Sequence, residues 1–203
     1  MPGPPAELHG RPRQPEPPRT RPPRPAELDE ERLALHSLIA NGPRRAQARV
    51  PLVDDQGRLL GPFGPMLFSP RIGTAVQQVG AALRFDPDLP PRMRELAILT
   101  VAAHARSEFE WTAHEDAARD AGVSTDQMQS LLDGSVPDNL DPAELCAVKA
   151  TRVLLTDRTL GDDLYQEALA ELGQDILAAL VWLVGYYSML ALALATFRPA
   201  INP

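Results

Sequence analysis

An all-α domain is the fold that this chain of 203 residues predicts. Three observations carry the expectation. Helix-opening and helix-closing residues recur from Ala26 onwards. Between them, apolar residues return at the helical period. No alternating strand pattern competes with them at any point. The length suits one domain with a full-sized core and some extra chain.

The first segment, Met1 to Pro25, reads MPGPPAELHGRPRQPEPPRTRPPRP and is nearly free of large apolar residues. It buries too little surface to offset the entropy of ordering, which predicts a disordered or polyproline-like tail over 1–25 and a single helical domain over 26–203. A first helix is expected from about Ala26 to Ala40, stopping at Asn41-Gly42. VPLVDDQGRLLGPFGPMLFSP is rich in glycine and proline and reads as an ordered loop. Ser69-Pro70 supplies a cap and a first-turn proline for a helix to about Phe85. Pro90-Pro91 opens a helix through RMRELAILTVAAHA, and Ser107 opens another that ends at Gly122. Ser124 with Gln127, and Asp141 with Glu144, are capping boxes for two more. A helix near Asp163 to Leu172 closes at Gly173. The last helix, Ile176 to Phe197, carries no charge and is long enough to cross a bilayer. Gly185, Tyr186, Tyr187 and Ser188 at its midpoint, and the lack of a basic flank beyond Arg198, favour the core helix of a soluble bundle instead.

A formal charge of −7 gives no invitation to a phosphate backbone, so no nucleic-acid partner is expected. Cys146 is the only cysteine, which excludes an intramolecular disulfide, a paired-thiol redox cycle and a cysteine-rich metal site. On its apolar helix it reads as a buried, inert thiol. The first residues form no apolar run of the kind a secretory signal needs, so a cytoplasmic location is the default. No metal-binding constellation stands out, nor does a GxGxxG, Walker or GxSxG sequence, so no metal or cofactor is expected.

The chemistry concentrates in SEFEWTAH, from Ser107 to His114. Glu110 and His114 are four residues apart on a helix, share a face and are able to touch. A carboxylate beside an imidazole fixes its tautomer and raises its basicity, which suits general acid/base work near neutral pH. The competing role for Glu110 is structural: Ser107-x-x-Glu110 matches a capping box, in which the carboxylate turns back to the Ser107 N–H. Glu95, on the preceding helix, is either a solvent boundary or a carboxylate aimed into a pocket. His104 lies nine residues beyond Glu95, about half a turn round the wheel, so the two do not face one pocket of a single subunit. Trp111 is a core residue or a pocket wall. Tyr186 and Tyr187 are packing aromatics, or one of them donates to a ligand. Arg71, Arg84, Arg92 and Arg94 cluster near these helices and offer a hold for an anionic substrate.

These residues resemble the carboxymuconolactone decarboxylase family, related to the alkylhydroperoxidase D-like proteins. The resemblance runs from about Leu33 to Pro199. Its specific block is LPPRMRELAILTVAAHARSEFEWTAHEDAARDAGVS, flanked by GPFGPMLFSP and LVGYYSMLALALATFRP. It implies an all-helical fold that assembles as a homo-trimer or hexamer, with the long last helix packed inside. In the peroxidase branch a Cys-x-x-Cys-x-x-x-His sequence performs thiol chemistry, served by an upstream glutamate. Here Ser107 stands at the first cysteine and Glu110 at the second, while His114 keeps the histidine and Glu95 the glutamate. A hydroxyl and a carboxylate do not replace a thiolate nucleophile, so thiol peroxidase activity is not expected. The decarboxylase branch carries glutamate at that second position, as this chain does.

The resemblance therefore implies a cofactor-free lyase that decarboxylates a small oxo-acid or carboxylated lactone. His114, Glu110 and Glu95 are its candidate catalytic residues; Trp111, His104, Tyr186 and Arg94 are candidate contacts to a small carboxylated substrate. Two carboxylates beside an anionic substrate repel it, so one of them must hold a proton or an arginine must reach the pocket. Isomerisation, dehydration or cyclisation by the same proton shuffling is a second expectation, and a non-catalytic oligomeric binding protein is a third.

Overall fold

A computed structural model describes residues 17–201, and all structural statements concern that span. Helix α1 runs Glu30–Asn41. It begins later than Ala26 because Asp29 is the better cap: its carboxylate accepts from the Arg32 N–H, while Pro25–Glu27 makes only a single 3₁₀ turn. α2 (Arg44–Gln47) and α3 (Phe63–Met66) are single turns inside the segment expected as a loop. That segment is ordered and packed, with Leu52, Leu59, Leu60, Phe63 and Leu67 buried. α4 spans Pro70–Phe85 and opens on its proline, although the Ser69 side chain makes no capping bond.

α5 (Pro91–Ala105) is the central helix. Every residue from Glu95 to Ala102 is buried, and it packs against α6 (Glu108–Asp120), α7 (Thr125–Leu132), α8 (Pro142–Asp157) and α9 (Asp162–Phe197). A helix apolar all round has to be enclosed by others, and this one is. Both expected capping boxes form, Ser124 with Gln127 and Asp141 with Glu144. Arg92 ties the two together from α5: its Nε donates to Glu144 at 2.7 Å and a terminal nitrogen donates to Gln127 Oε1 at 3.0 Å. The openings of α7 and α8 are thereby fixed against the central helix.

α9 is two helices joined at Gly173, where φ is +74° and the helical pattern breaks. Past the break the buried stripe is Leu177, Leu180, Leu183, Val184, Tyr187, Leu190 and Ala191, the i, i+3, i+4, i+7 spacing of one face. The opposite face is also apolar but open, with Trp182 68 % and Leu192 69 % exposed. By length and composition α9 is able to cross a membrane, and 44 % of its most apolar window is buried within the fold. One such helix does not establish a membrane location. Among the described residues no strand forms beyond two isolated bridges, so the fold is all-α.

The tail expected over 1–25 needs a correction at its end. Residues 1–16 lie outside the described span, but residues 17–25 begin the packed structure. The Arg19 N–H donates to the Arg198 carbonyl at 3.0 Å and the Thr20 hydroxyl to the Phe197 carbonyl at 3.0 Å. Pro22 is buried so closely on Gly64 that a Cβ there would meet its ring at 2.3 Å. These few proline and arginine residues need no core of their own, because they lie along one already formed.

Candidate active site

Three helices bring the site together. α5 supplies Glu95, α6 supplies Glu110 and His114, and α9 supplies Tyr186 and Tyr187, all buried. α5 ends on Arg106 in the left-handed conformation, φ 53°, and the Ser107 N–H then donates to the Ala102 carbonyl at 2.9 Å. That bond bears on the capping role of Glu110. The Ser107 N–H is already satisfied, so the reciprocal half of the capping box is not made. Ser107 still accepts from the Glu110 N–H at 3.5 Å, at the limit of a hydrogen bond. The Glu110 carboxylate is left buried at the pocket.

His114 is the centre of a hydrogen-bonded chain. Its Nδ1 lies 2.8 Å from Glu95 Oε2 and its Nε2 lies 3.2 Å from the Tyr187 hydroxyl. The expectation that Glu110 orients the imidazole is thus corrected: both ring nitrogens are engaged, and the carboxylate on Nδ1 is Glu95, 19 residues away in sequence. Burial alone would raise the Glu95 pKa. The hydrogen bond from His114, and the charges of His114 and Arg94, outweigh it and hold the carboxyl below its ordinary value. An ionised Glu95 places the proton of the pair on Nδ1. With one proton, the imidazole accepts at Nε2 from the Tyr187 O–H; with two, Nε2–H donates to the phenol oxygen. Burial, reinforced by the nearby Glu110 charge and opposed by Arg84, pushes Tyr187 well above the usual phenol value, so it remains a neutral donor. Its ring stands edge-on to His114 at a centroid distance of 5.2 Å and to Tyr186 at 5.2 Å, which fixes all three side chains.

The chain of bonds meets a small cavity of about 30 Å³. Its polar wall is Glu110, His114, Tyr186, Tyr187, Arg84 and Arg49; Leu52, Phe63, Phe109 and Leu190 give the apolar wall. That volume holds roughly one water. Phe109 leans on Gly61, whose φ of +58° and want of a Cβ leave room for the ring. Arginines do reach the pocket, as the charge argument required, and they are Arg84 and Arg49.

The other named residues are placed differently. Arg94 stands behind Glu95, donating from Nε to its Oε1 at 3.2 Å and from a terminal nitrogen to the Arg84 carbonyl at 3.1 Å. It braces the carboxylate and the end of α4 without lining the cavity. Trp111 packs half-buried against the second core cluster under α7. His104 is exposed at the end of α5, where partial burial and the charges of Arg158 and Arg152 lower its pKa. Neither lines the cavity of this chain, because the turn of the helix that aims Glu110 and Glu95 inward aims them elsewhere. Cys146 is fully buried on α8, and burial pushes its thiol up. Among the described residues no three His, Cys, Asp or Glu side chains converge as a metal-binding group. Tyr187 and Arg84 were not singled out from their neighbours by the sequence. Tyr187 sits on a helix apolar on every face, and Arg84 is one arginine among four of similar context.

Residues 70–153, from the start of α4 into α8, match the family model described as the carboxymuconolactone decarboxylase family. Glu95, Glu110, His114 and Arg84 lie inside the match, and Tyr187 lies outside it. No curated protein matches the chain. The family match supports a decarboxylase or alkylhydroperoxidase D-like activity in general terms. The helices that supply Glu95 and His114 thus fall within the part of the chain, residues 70–153, that is similar to the carboxymuconolactone decarboxylase family.

Proposed function

We propose that the protein is a lyase that decarboxylates a small oxo-acid or carboxylated lactone by acid/base proton transfer. The observation that carries this reading is the buried Glu95–His114–Tyr187 chain of hydrogen bonds at the edge of an arginine-bearing pocket. When CO₂ leaves, the bonding electrons pass to an enolate, which then takes a proton at carbon. Tyr187 is too weak an acid to give that proton unaided. The balanced step starts from the imidazolium. As the Tyr187 O–H proton moves to carbon, the Nε2 proton moves to the phenol oxygen, leaving a neutral imidazole that solvent reprotonates between turnovers. Glu95 steadies the charge of the imidazolium. The apolar wall strips water from the substrate carboxylate and favours its departure. The direct test is a screen of oxo-acids and carboxylated lactones for released CO₂ by the purified chain. The reading fails if such substrates are consumed with no CO₂ formed, as an isomerase, dehydratase or cyclase would do.

The same proposal places the active protein in a homo-trimer or hexamer, in the cytoplasm. Support comes from the open apolar face of α9, with Val181, Trp182, Met189 and Leu192 along it. A second copy suits this face better than lipid does, since the same helix carries Tyr187 into a buried polar network at mid-length. Trp182→Glu is expected to shift the protein to monomer in light scattering. A wild-type chain that is monomeric at micromolar concentration would remove the assembly from the proposal.

A further inference from the structure

Residues 17–25 touch two sides of the cavity at once. On one side is the end of α9, the helix that carries Tyr186, Tyr187 and Leu190 to the cavity. A helix leaves its last carbonyls without partners inside itself, and here the amino-terminal segment supplies the donors. A terminal guanidinium nitrogen of Arg19 donates to the Thr196 carbonyl at 3.1 Å, the Thr20 hydroxyl to Phe197 at 3.0 Å, and the Arg19 N–H to Arg198 at 3.0 Å. The Arg19 charge also suits the negative end of the helix dipole. On the other side is the chain that forms the apolar wall. Pro22 is buried on Gly64, next to the cavity residue Phe63. The Pro25 ring lies on Gly57, in the stretch between the cavity residues Leu52 and Phe63. Beside these contacts the Gly61 N–H donates to the Ala200 carbonyl at 2.9 Å, which joins the same wall to the chain just beyond α9.

This fastening is of a kind that opens. The side-chain bonds to Thr196 and Phe197 lie at the surface, where water competes for both partners. Within 17–25 only Pro22 is buried, whereas α5 is buried from Glu95 to Ala102. A segment held by exposed bonds and few buried contacts opens well before a core does. Pro17, Pro18, Pro22, Pro23 and Pro25 leave the segment few backbone conformations, so it reseats at a small entropic cost. We propose that residues 17–25 form a clamp, spanning the cavity from the end of α9 to the Phe63 turn, that sets the width of the cavity. When the clamp lifts, the wall of Leu52 and Phe63 moves away from Tyr187 and admits solvent, while α5, α6 and α8 stay in place. The clamp acts on the cavity whatever reaction takes place there, so it does not rest on the decarboxylase reading.

Nitration of the full chain by tetranitromethane reads the opening. Tyr165 is exposed and serves as the internal reference, while Tyr186 and Tyr187 are buried at the cavity. The wild type is nitrated at Tyr165 and only slowly at the other two. In the combined variant Arg19→Ala, Thr20→Val and Pro22→Ala, Tyr165 reacts as before and the cavity tyrosines react about tenfold or more faster. Hydrogen exchange of the same two proteins, followed by mass spectrometry, quickens over residues 59–67 and not in α5. A second measurement needs no variant. In dilute urea, the wild-type Arg19 and Gly61 N–H groups exchange through one shared opening, with the same denaturant dependence and well before the amides of α5. The proposal is overturned if the cavity tyrosines of the folded variant stay as protected as in the wild type, or if α5 quickens together with 59–67. It is overturned equally if Gly61 in the wild type stays protected while Arg19 exchanges, and that comparison decides should the variant fail to fold.

Discussion

His114→Ala is expected to lower turnover by about 10² to 10⁴ while the chain remains folded. Without the imidazole, nothing returns a proton to the Tyr187 oxygen, and a buried phenol with a raised pKa resists being left as phenolate. Folding should survive because Glu95 keeps its second partner, Arg94. Steady-state rates of CO₂ release, with circular dichroism as the control for fold, give the answer. Added imidazole should restore part of the rate by occupying the vacated space. Full activity in a folded His114→Ala protein would rule the imidazole out as the acid/base.

Glu95→Ala should cost the most stability, about 3 to 5 kcal/mol, because it strips the acceptor from a buried imidazole and the counter-charge from Arg94. Glu95→Gln keeps an oxygen for the Nδ1–H and should cost less, while removing the negative charge that steadies an imidazolium. The pH dependence has a definite sign. The folded pKa of Glu95 is below its ordinary 4.5, so on acidification the unfolded chain takes up a proton first. The stabilisation is present above the ordinary carboxylate range and is lost as pH falls through the folded value. Urea denaturation at successive pH values should give a shallower acid decline for Glu95→Gln than for wild type. Equal slopes would mean that Glu95 is not held ionised by its partners.

The helices were legible wherever a boundary is decided locally. Pro91, Ser124 with Gln127, Asp141 with Glu144, and Gly173 each act on backbone groups within a turn of themselves, and each boundary falls there. The start of α1 differed because Asp29 is the better cap, whereas α4 spans Pro70–Phe85 as expected, without a capping bond from the Ser69 side chain. The site was legible in its parts and not in its wiring. That Glu110 and His114 line one cavity was expected from the resemblance, and Glu95 reaches it through His114. That His114 answers to Glu95 depends on how α5 and α6 pack, which no spacing within one helix records. Tyr187 was hidden for a different reason: on α9 both the enclosed and the open face are apolar, so periodicity offers no contrast from which to tell the inward tyrosine.

The engaged state of both His114 nitrogens has a consequence for where hydrogen comes from. Neither imidazole nitrogen is free to exchange directly, since one faces a carboxylate and the other a phenol. On the proposed mechanism, a hydrogen delivered to substrate carbon passes through the Tyr187 oxygen, and its isotope is that of the phenol at the moment of delivery. In heavy water, the label in the first product formed would report how long that phenol retains its hydrogen, and the stereochemistry at the new C–H bond would be set by one face of one ring.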